Sequence, residues 1–269
     1  MTTRPLRRNI RLLVINPNSS HGMTDAMDSA IRTLDLPHSV EITMYTAPPE
    51  SPASINDGKD IKASEEVVMK NLHETGILKI YDGALVACYS VHTLVDRIAT
   101  AGDHRFPVTG IFEASILTTL PLLQREDDGA TGWGIVTTGK FWEDHLTAGI
   151  KNYLGQSGEQ DNSLFLGVHS TGLSAADFHS GHVSPELIRQ RLKGATKRLL
   201  HKGPVHCVVM GCAGMAGLED MVRSTVREEY SQAMAERVFV IDGVRAGIGA
   251  LEQMVKNKRM FQDPRLPVI

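Results

Sequence analysis

The sequence holds no uninterrupted apolar run near the roughly 20 residues that a bilayer-spanning helix needs. Its basic start, RPLRR, leads into IRLLVINPN, too short and too quickly broken to read as a signal peptide. A cytoplasmic protein without membrane association is therefore the expectation. There is no basic excess either. The formal charge is −3 and the basic clusters RPLRR and KNKR are short and terminal, so no nucleic-acid partner is expected. Cysteine is scarce and odd in number: Cys88, Cys207 and Cys212 lie in apolar surroundings, which points to reduced thiols rather than a disulfide framework. No G-x-G-x-x-G follows the first strand, and neither G-x-x-x-x-G-K-S/T nor G-x-S-x-G occurs. These absences remove the phosphate cradles of nucleotide binding and the nucleophile elbow of α/β-hydrolases. His169, His179 and His182 share one polar segment, but no Cys or carboxylate stands at a recognised ligand spacing from them, so no metal is expected.

What is present is a chain of 269 residues, 42% hydrophobic and 22% charged, long enough for one large α/β domain or two small ones. Short apolar runs alternate with helical patterns. IRLLVINP (10–17) reads as a strand, followed by a helix capped by Thr24 with Met27, Ala30, Ile31 and Leu34 on one side. VEITMYTA (40–47), GALVACYS (83–90) and FPVTGIFEA (106–114) are further strands, with a helix over about 63–76 and another from VHTLVDRIAT. After the acidic break REDDGATG the order starts again with WGIVTTGKFW (133–142), LFLGVHSTGL (164–173), VHCVVMGC (205–212) and VFVIDGVRAG (238–247). Ser184 and Pro185 open a helix that continues towards Leu200, and LEDMVRSTVREEYSQAM reads as helical.

The two halves repeat one layout. Asn18 and Cys88 are 70 residues apart, Thr138 and Cys212 are 74 apart, and FPVTGIFEASI and VFVIDGVRAGI end the halves alike. The fold class expected is α/β, with two pseudosymmetric, doubly wound domains of parallel sheet facing an interdomain cleft. Residues 1–112 with 243–269 form the first domain and 113–242 the second.

In parallel α/β sheets the carboxyl ends of the strands face the ligand crevice. Cys88 and Cys212 both fall there, and the pseudo-twofold relation puts one thiol on each side of the cleft. Inversion of a stereocentre needs two acid/base groups on opposite faces of one carbon. The small residues Ala213, Gly214, Ala216 and Gly217 let backbone N–H groups approach a carboxylate or enolate oxygen. A helix N-terminus after each cysteine is expected to lower its pKa towards neutrality.

INPNSSxxMT at the start, VACYS in the first half, GIVTTGKF in the middle and GCAGMAGL in the second half resemble the aspartate/glutamate/hydantoin racemase superfamily, particularly its hydantoin racemase branch. The resemblance spans nearly the whole chain in order. It implies racemisation of a 5-substituted hydantoin or a related ureide such as allantoin, with no cofactor, a small molecule as the partner, and a homo-oligomer. It implies Cys88 and Cys212 as the acid/base pair, with Asn18, Ser19, Ser90, Thr137, Thr138, Ala213 and Gly214 at positions that hold the substrate's polar edge. Hydantoin racemases commonly continue after the first cysteine as C-F/Y-x-D-P-G-L. Here Val91, His92 and Thr93 replace Asp-Pro-Gly, a version similar to a fungal branch of the family. Two alternatives stay open: a superfamily isomerase or decarboxylase for a small dicarboxylate or amino acid, and a non-catalytic small-molecule binder or thiol sensor.

Other residues carry two readings each. His92 either tunes the thiol or touches substrate, or is a surface or capping histidine. Glu113 either lines the cleft or is a solvated carboxylate at a helix start. Cys207 alternates to the strand face opposite Cys212 and reads as a small buried hydrophobe. Residues 171–184 are a lid or a connector.

Overall fold

The computed structural model describes residues 9–262 apart from 103, 124, 127–128, 131, 157–162 and 179–180. The first half runs β1 (Ile10–Asn16), α1 (His21–Arg32), β2 (Val40–Thr46), α2 (Gly58–Thr75), β3 (Gly83–Val86), α3 (Thr93–Ala101), β4 (Val108–Gly110) and α4 (Ile111–Thr119). A short antiparallel pair, β5 (Arg125–Glu126) and β6 (Gly129–Ala130), leads into the second half. That half comprises β7 (Gly132–Thr137), α5 (Phe141–Tyr153), β8 (Phe165–Ser170), α6 (Pro185–Leu200), β9 (Val205–Gly211), α7 (Glu219–Glu229), α8 (Gln232–Ala235), β10 (Phe239–Asp242) and α9 (Gly243–Phe261).

Each half builds a four-stranded sheet, ordered β2-β1-β3-β4 and β8-β7-β9-β10, with every ladder parallel. The two orders are the same, so the repeat read from spacing is a repeat of topology. Successive residues of β1 divide between two clusters, Leu12 and Val14 on one face and Leu13 and Ile15 on the other, because helices cover both faces. One apolar cluster runs from the inner face of the first sheet through Met27 of α1, Phe112 of α4, Leu146 of α5 and Ile248 of α9 to Ile135 and Val209 of the second sheet. The outer faces are covered separately, by α2 and α3 on one sheet and by α6 and α7 on the other. Although α9 follows the last strand of the second sheet, it lies back on β3, β4 and α4. No helix among the described residues is long and apolar enough to cross a membrane.

Several element ends differ from the pattern-based expectation. The cap of α1 is Ser20, whose hydroxyl accepts from Met23 N–H; Thr24 instead lies inside the first turn and bonds Thr46 Oγ1 at 2.7 Å. β3 stops at Val86, and β4 and β10 are cut short because α4 and α9 begin at once, the latter capped by Asp242 accepting from Arg245 N–H. The long helical stretch after Leu218 breaks at Tyr230, whose hydroxyl accepts from Val205 N–H and donates to Gly203 O. Asp57 caps α2, which begins at Gly58, five residues before its expected start, while Ser184 caps α6 as its sequence signature implies.

Gly211 fixes how closely the second sheet's strand ends pack. A Cβ there would overlap Ile135 Cγ2 and sit 3.1 Å from Thr137 Cβ and Val136 O, while Thr137 Oγ1 donates to Gly211 O at 2.7 Å. Gly211→Ala is therefore expected to destabilise the protein by roughly 1–3 kcal/mol, as overpacking of a filled core does. Urea denaturation checks this, and a variant within about 0.5 kcal/mol of the parent contradicts the packing account.

Candidate active site

Both sheets order their strands 2-1-3-4 within each half, so the chain reverses its winding between the first and third strands. Ligands of open α/β sheets bind at that switch point, beyond the carboxyl ends of the strands. Asn18 follows β1 and Cys88 follows β3; Thr138 follows β7 and Cys212 follows β9. The switch points of the two halves thus contribute matching pairs of residues.

These four residues line one cavity of about 30 Å³. The first half adds Met23, Ile55, Ala87 and Tyr89 to its wall, and the second adds Trp142, Ala175, Gly211, Ala213 and Gly214. None of the lining residues is Asp, Glu, Lys, Arg or His. Of the residues singled out from sequence, the cavity brings together Asn18, Cys88, Thr138, Cys212, Ala213 and Gly214. Ser19, Ser90, Thr137, His92 and Glu113 are not on its wall.

Asn18 is held by its own loop. Its Oδ1 accepts from Asn16 Nδ2 (3.1 Å) and Ser20 N–H (2.9 Å), whereas its Nδ2 meets only the soft acceptor Met23 Sδ at 3.1 Å. Ser19 donates from Oγ to Ser51 O and from its amide to Pro52 O, which ties the 47–57 segment to this loop. Ser90 Oγ donates to Cys88 Sγ at 3.4 Å, and Cys212 Sγ accepts from Gly214 N–H at 3.3 Å.

Burial decides the protonation of both sulfurs. It pushes the Cys88 thiol up to about 12; the Ser90 hydroxyl opposes that rise, and the charges of Cys212 and Glu113 add to it. Burial likewise pushes Cys212 up to about 11 against the pull of the Gly214 and Met215 amides. The expected lowering by helix N-termini is thus outweighed by desolvation. The turn after Cys212 is only Ala213–Met215, and Cys88 is separated from α3 by four residues.

The Val91-His92-Thr93 segment is absorbed by packing around the Cys88 loop. Val91 sits against α5 where Gly149 has no Cβ, beside Phe112, and Thr93 Oγ1 donates to Glu65 Oε2 at 2.7 Å, with Arg97 paired to the same carboxylate. His92 is the N-cap of α3. Its Nδ1 accepts from Leu94 N–H, so Nε2 carries the proton and donates to Ser64 Oγ at 3.1 Å, whose hydroxyl in turn donates to Ile61 O. Glu113 stands in the first turn of α4 with Oε2 buried and unbonded, and burial raises its carboxyl to about 7 against the amides of Glu113 and Gly110.

Cys207 is wholly buried in the central cluster. Among the described residues no three His, Cys, Asp or Glu side chains gather to hold a metal ion; His169 contacts Leu166 O, and His179 lies outside the described residues. A larger groove, about 880 Å³, opens between α1, α7 and α9 around the Arg245–Glu219 ion pair, but neither Cys88 nor Cys212 reaches it. Sequence reasoning missed Met23, Ile55, Tyr89, Trp142 and Ala175. Tyr89 and Trp142 had a signal, since they adjoin Cys88 and the TTGK loop; Ala175 falls in the 171–184 segment read as a lid or a connector, and Ile55 sits in an irregular segment with no signal.

Comparison with known proteins places this geometry. Residues 12–251 match the Asp/Glu/Hydantoin racemase family. An uncharacterized protein of Schizosaccharomyces pombe is 33% identical over 250 residues, 92% of each chain. A hydantoin racemase of a Pseudomonas species is 25% identical, covering 91% of this chain and 86% of that one. Among solved structures, an allantoin racemase from Klebsiella pneumoniae superposes with a TM-score of 0.70 at 25% identity, over 92% of this chain and 88% of its own.

The buried His92 gives a pH prediction. Burial lowers its pKa from an ordinary 6.5 to about 4. Between those values the unfolded chain binds a proton that the folded protein does not. Its contribution is therefore full above pH 6.5 and lost as pH falls towards 4, by up to about 3 kcal/mol. His92→Asn keeps an N-cap acceptor without the titration. Urea midpoints at pH 7.5 and 4.5 are expected to separate less in the variant than in the parent; equal separation contradicts this role.

Proposed function

The chain belongs to the Asp/Glu/hydantoin racemase family, and from that premise we propose that it racemises a 5-substituted hydantoin or a related ureide such as allantoin, with Cys88 and Cys212 as the two acid/base groups. The observation that carries the reading is one cavity with a cysteine from each half and no charged residue in its lining. A dicarboxylate or an amino acid brings full charges that this wall does not pair, and burying an unpaired charge is costly. A neutral ring of amides brings only N–H and C=O groups. Asn18 Nδ2 and the Thr138 hydroxyl are suited to those groups, and the relatives named for hydantoin and allantoin favour the same class.

In the proposed reaction one sulfur, as thiolate, takes the C5 proton and becomes a thiol. The electron pair spreads into the adjoining ring carbonyl as an enolate. The opposite thiol then gives its proton to the other face of C5 and is left as thiolate, and proton exchange with solvent restores the starting state. Burial opposes even the first thiolate, and the groups that favour it are the Ser90 hydroxyl at Cys88 and the Gly214 and Met215 amides at Cys212. Ionised Cys212 raises Cys88, so two thiolates in this cavity oppose each other, and the working form is one thiolate facing one thiol.

Cys88→Ser and Cys212→Ser are each expected to cut racemisation of an enantiopure 5-substituted hydantoin by at least about 100-fold while circular dichroism stays that of the parent. Polarimetry measures the loss. Substantial turnover by either folded variant removes the two-thiol assignment.

A further inference from the structure

Resting on that reading, we propose that Trp142 sets the size of the C5 substituent and confines the enzyme to hydantoins with a small one. The cavity of about 30 Å³ has room for a water or two, not for a five-membered ring, so substrate entry must displace part of its wall. The walls differ in how readily they give. Ala87, Gly211, Ala213 and Gly214 belong to the strand ends that carry the thiols, and moving them would separate the sulfurs from the reacting carbon. Ile55 and Ala175 belong to irregular segments between β2 and α2 and after β8. Met23 is an unbranched, flexible side chain.

Trp142 is the bulkiest lining group and is held in place. It is 4% exposed and lies in the first turn of α5. It packs edge-on against Phe141 (ring centres 5.1 Å apart) and His145 (5.5 Å), and its amide donates to Gly139 O at 3.2 Å. One helical turn further, Leu146 is fully buried in the central cluster, which fixes the rotation of the helix. The loop-borne walls therefore yield to the ring, while the indole stays and limits what projects from C5. Nothing charged lines the cavity to reward a charged substituent, so the class favoured is a hydantoin bearing a short, uncharged group.

The test compares C5–H exchange of enantiopure 5-methylhydantoin and 5-benzylhydantoin in deuterated water, followed by NMR. Wild type is expected to exchange the methyl compound at least about tenfold faster in kcat/KM, within the range a steric pocket delivers. Trp142→Ala is expected to shrink or invert that ratio by about tenfold through a gain on the benzyl compound. Trp142→Phe is expected to lie between, and it stands in if the alanine variant does not fold. Equal wild-type rates, or a ratio unchanged in a folded Trp142 variant, overturn the proposal alone. Exchange of neither compound by wild type overturns the two-thiol reading beneath it, and this proposal with it.

Discussion

Desolvation of two thiols at one point is the constraint around which this structure is arranged. Cys88 and Cys212 are each partly buried, and that loss of water outweighs every group that favours the thiolate: the Ser90 hydroxyl on Cys88, and the Gly214 and Met215 amides on Cys212. The same dry surroundings make the negative charge of one sulfur felt by the other. A cavity that opposes one thiolate and opposes a second more strongly keeps at most one sulfur charged, and passing a proton across a carbon needs a base and an acid that are alike in kind and opposite in state.

The fold reaches this arrangement by repetition. Two sheets of the same strand order present their switch points to a shared crevice, and the strand after the crossover ends in a cysteine in each. The central apolar cluster spans both inner faces and packs against Cys88, while Cys212 packs against the cluster on the outer face of the second sheet, so each sulfur rests on a core as well as on its loop. Gly211 and Gly149 show how close the approach is: one leaves room for Ile135 beside the Cys212 strand, the other for Val91 of the Cys88 loop against α5. Thr137 and Ser19 serve this framework without facing the cavity, the first by bonding Gly211 O and the second by bonding Ser51 O.

Much of this was legible in the sequence, and the part that was not has physical reasons. The parallel α/β layout and the matching places of Cys88 and Cys212 followed from apolar runs in the same order in both halves and from the like separations of Asn18 and Cys88 (70 residues) and Thr138 and Cys212 (74 residues), because both the hydrophobic pattern and the turn into small residues are local. Ends of elements were less legible: whether Thr24 or Ser20 caps α1 depends on which hydroxyl is drawn off by a partner such as Thr46, far away in sequence. His92 was ambiguous for the same kind of reason. Its ring is settled by Ser64, which α2 brings against it from 28 residues upstream. The net direction of the thiol pKa values is opposite to the sequence expectation, since a nearby helix start is visible in sequence and the depth of burial is not. Ile55 left no signal, and Ala175 only its place in the 171–184 segment, because a residue's position on the wall depends on where irregular segments come to rest.

The central claim is that two sulfurs act on opposite faces of one carbon, and isotope placement tests it most directly. A single enantiomer of a 5-substituted hydantoin is incubated with wild-type protein in deuterated water, and both enantiomers are separated on a chiral column early in the reaction and weighed by mass spectrometry. The account predicts that newly formed enantiomer carries deuterium at C5 while unconverted starting material still carries protium, because the incoming proton comes from a different sulfur than the one that took the first. Deuterium appearing as fast in the starting enantiomer as in the product contradicts it, since one exchangeable base on one face would then account for both.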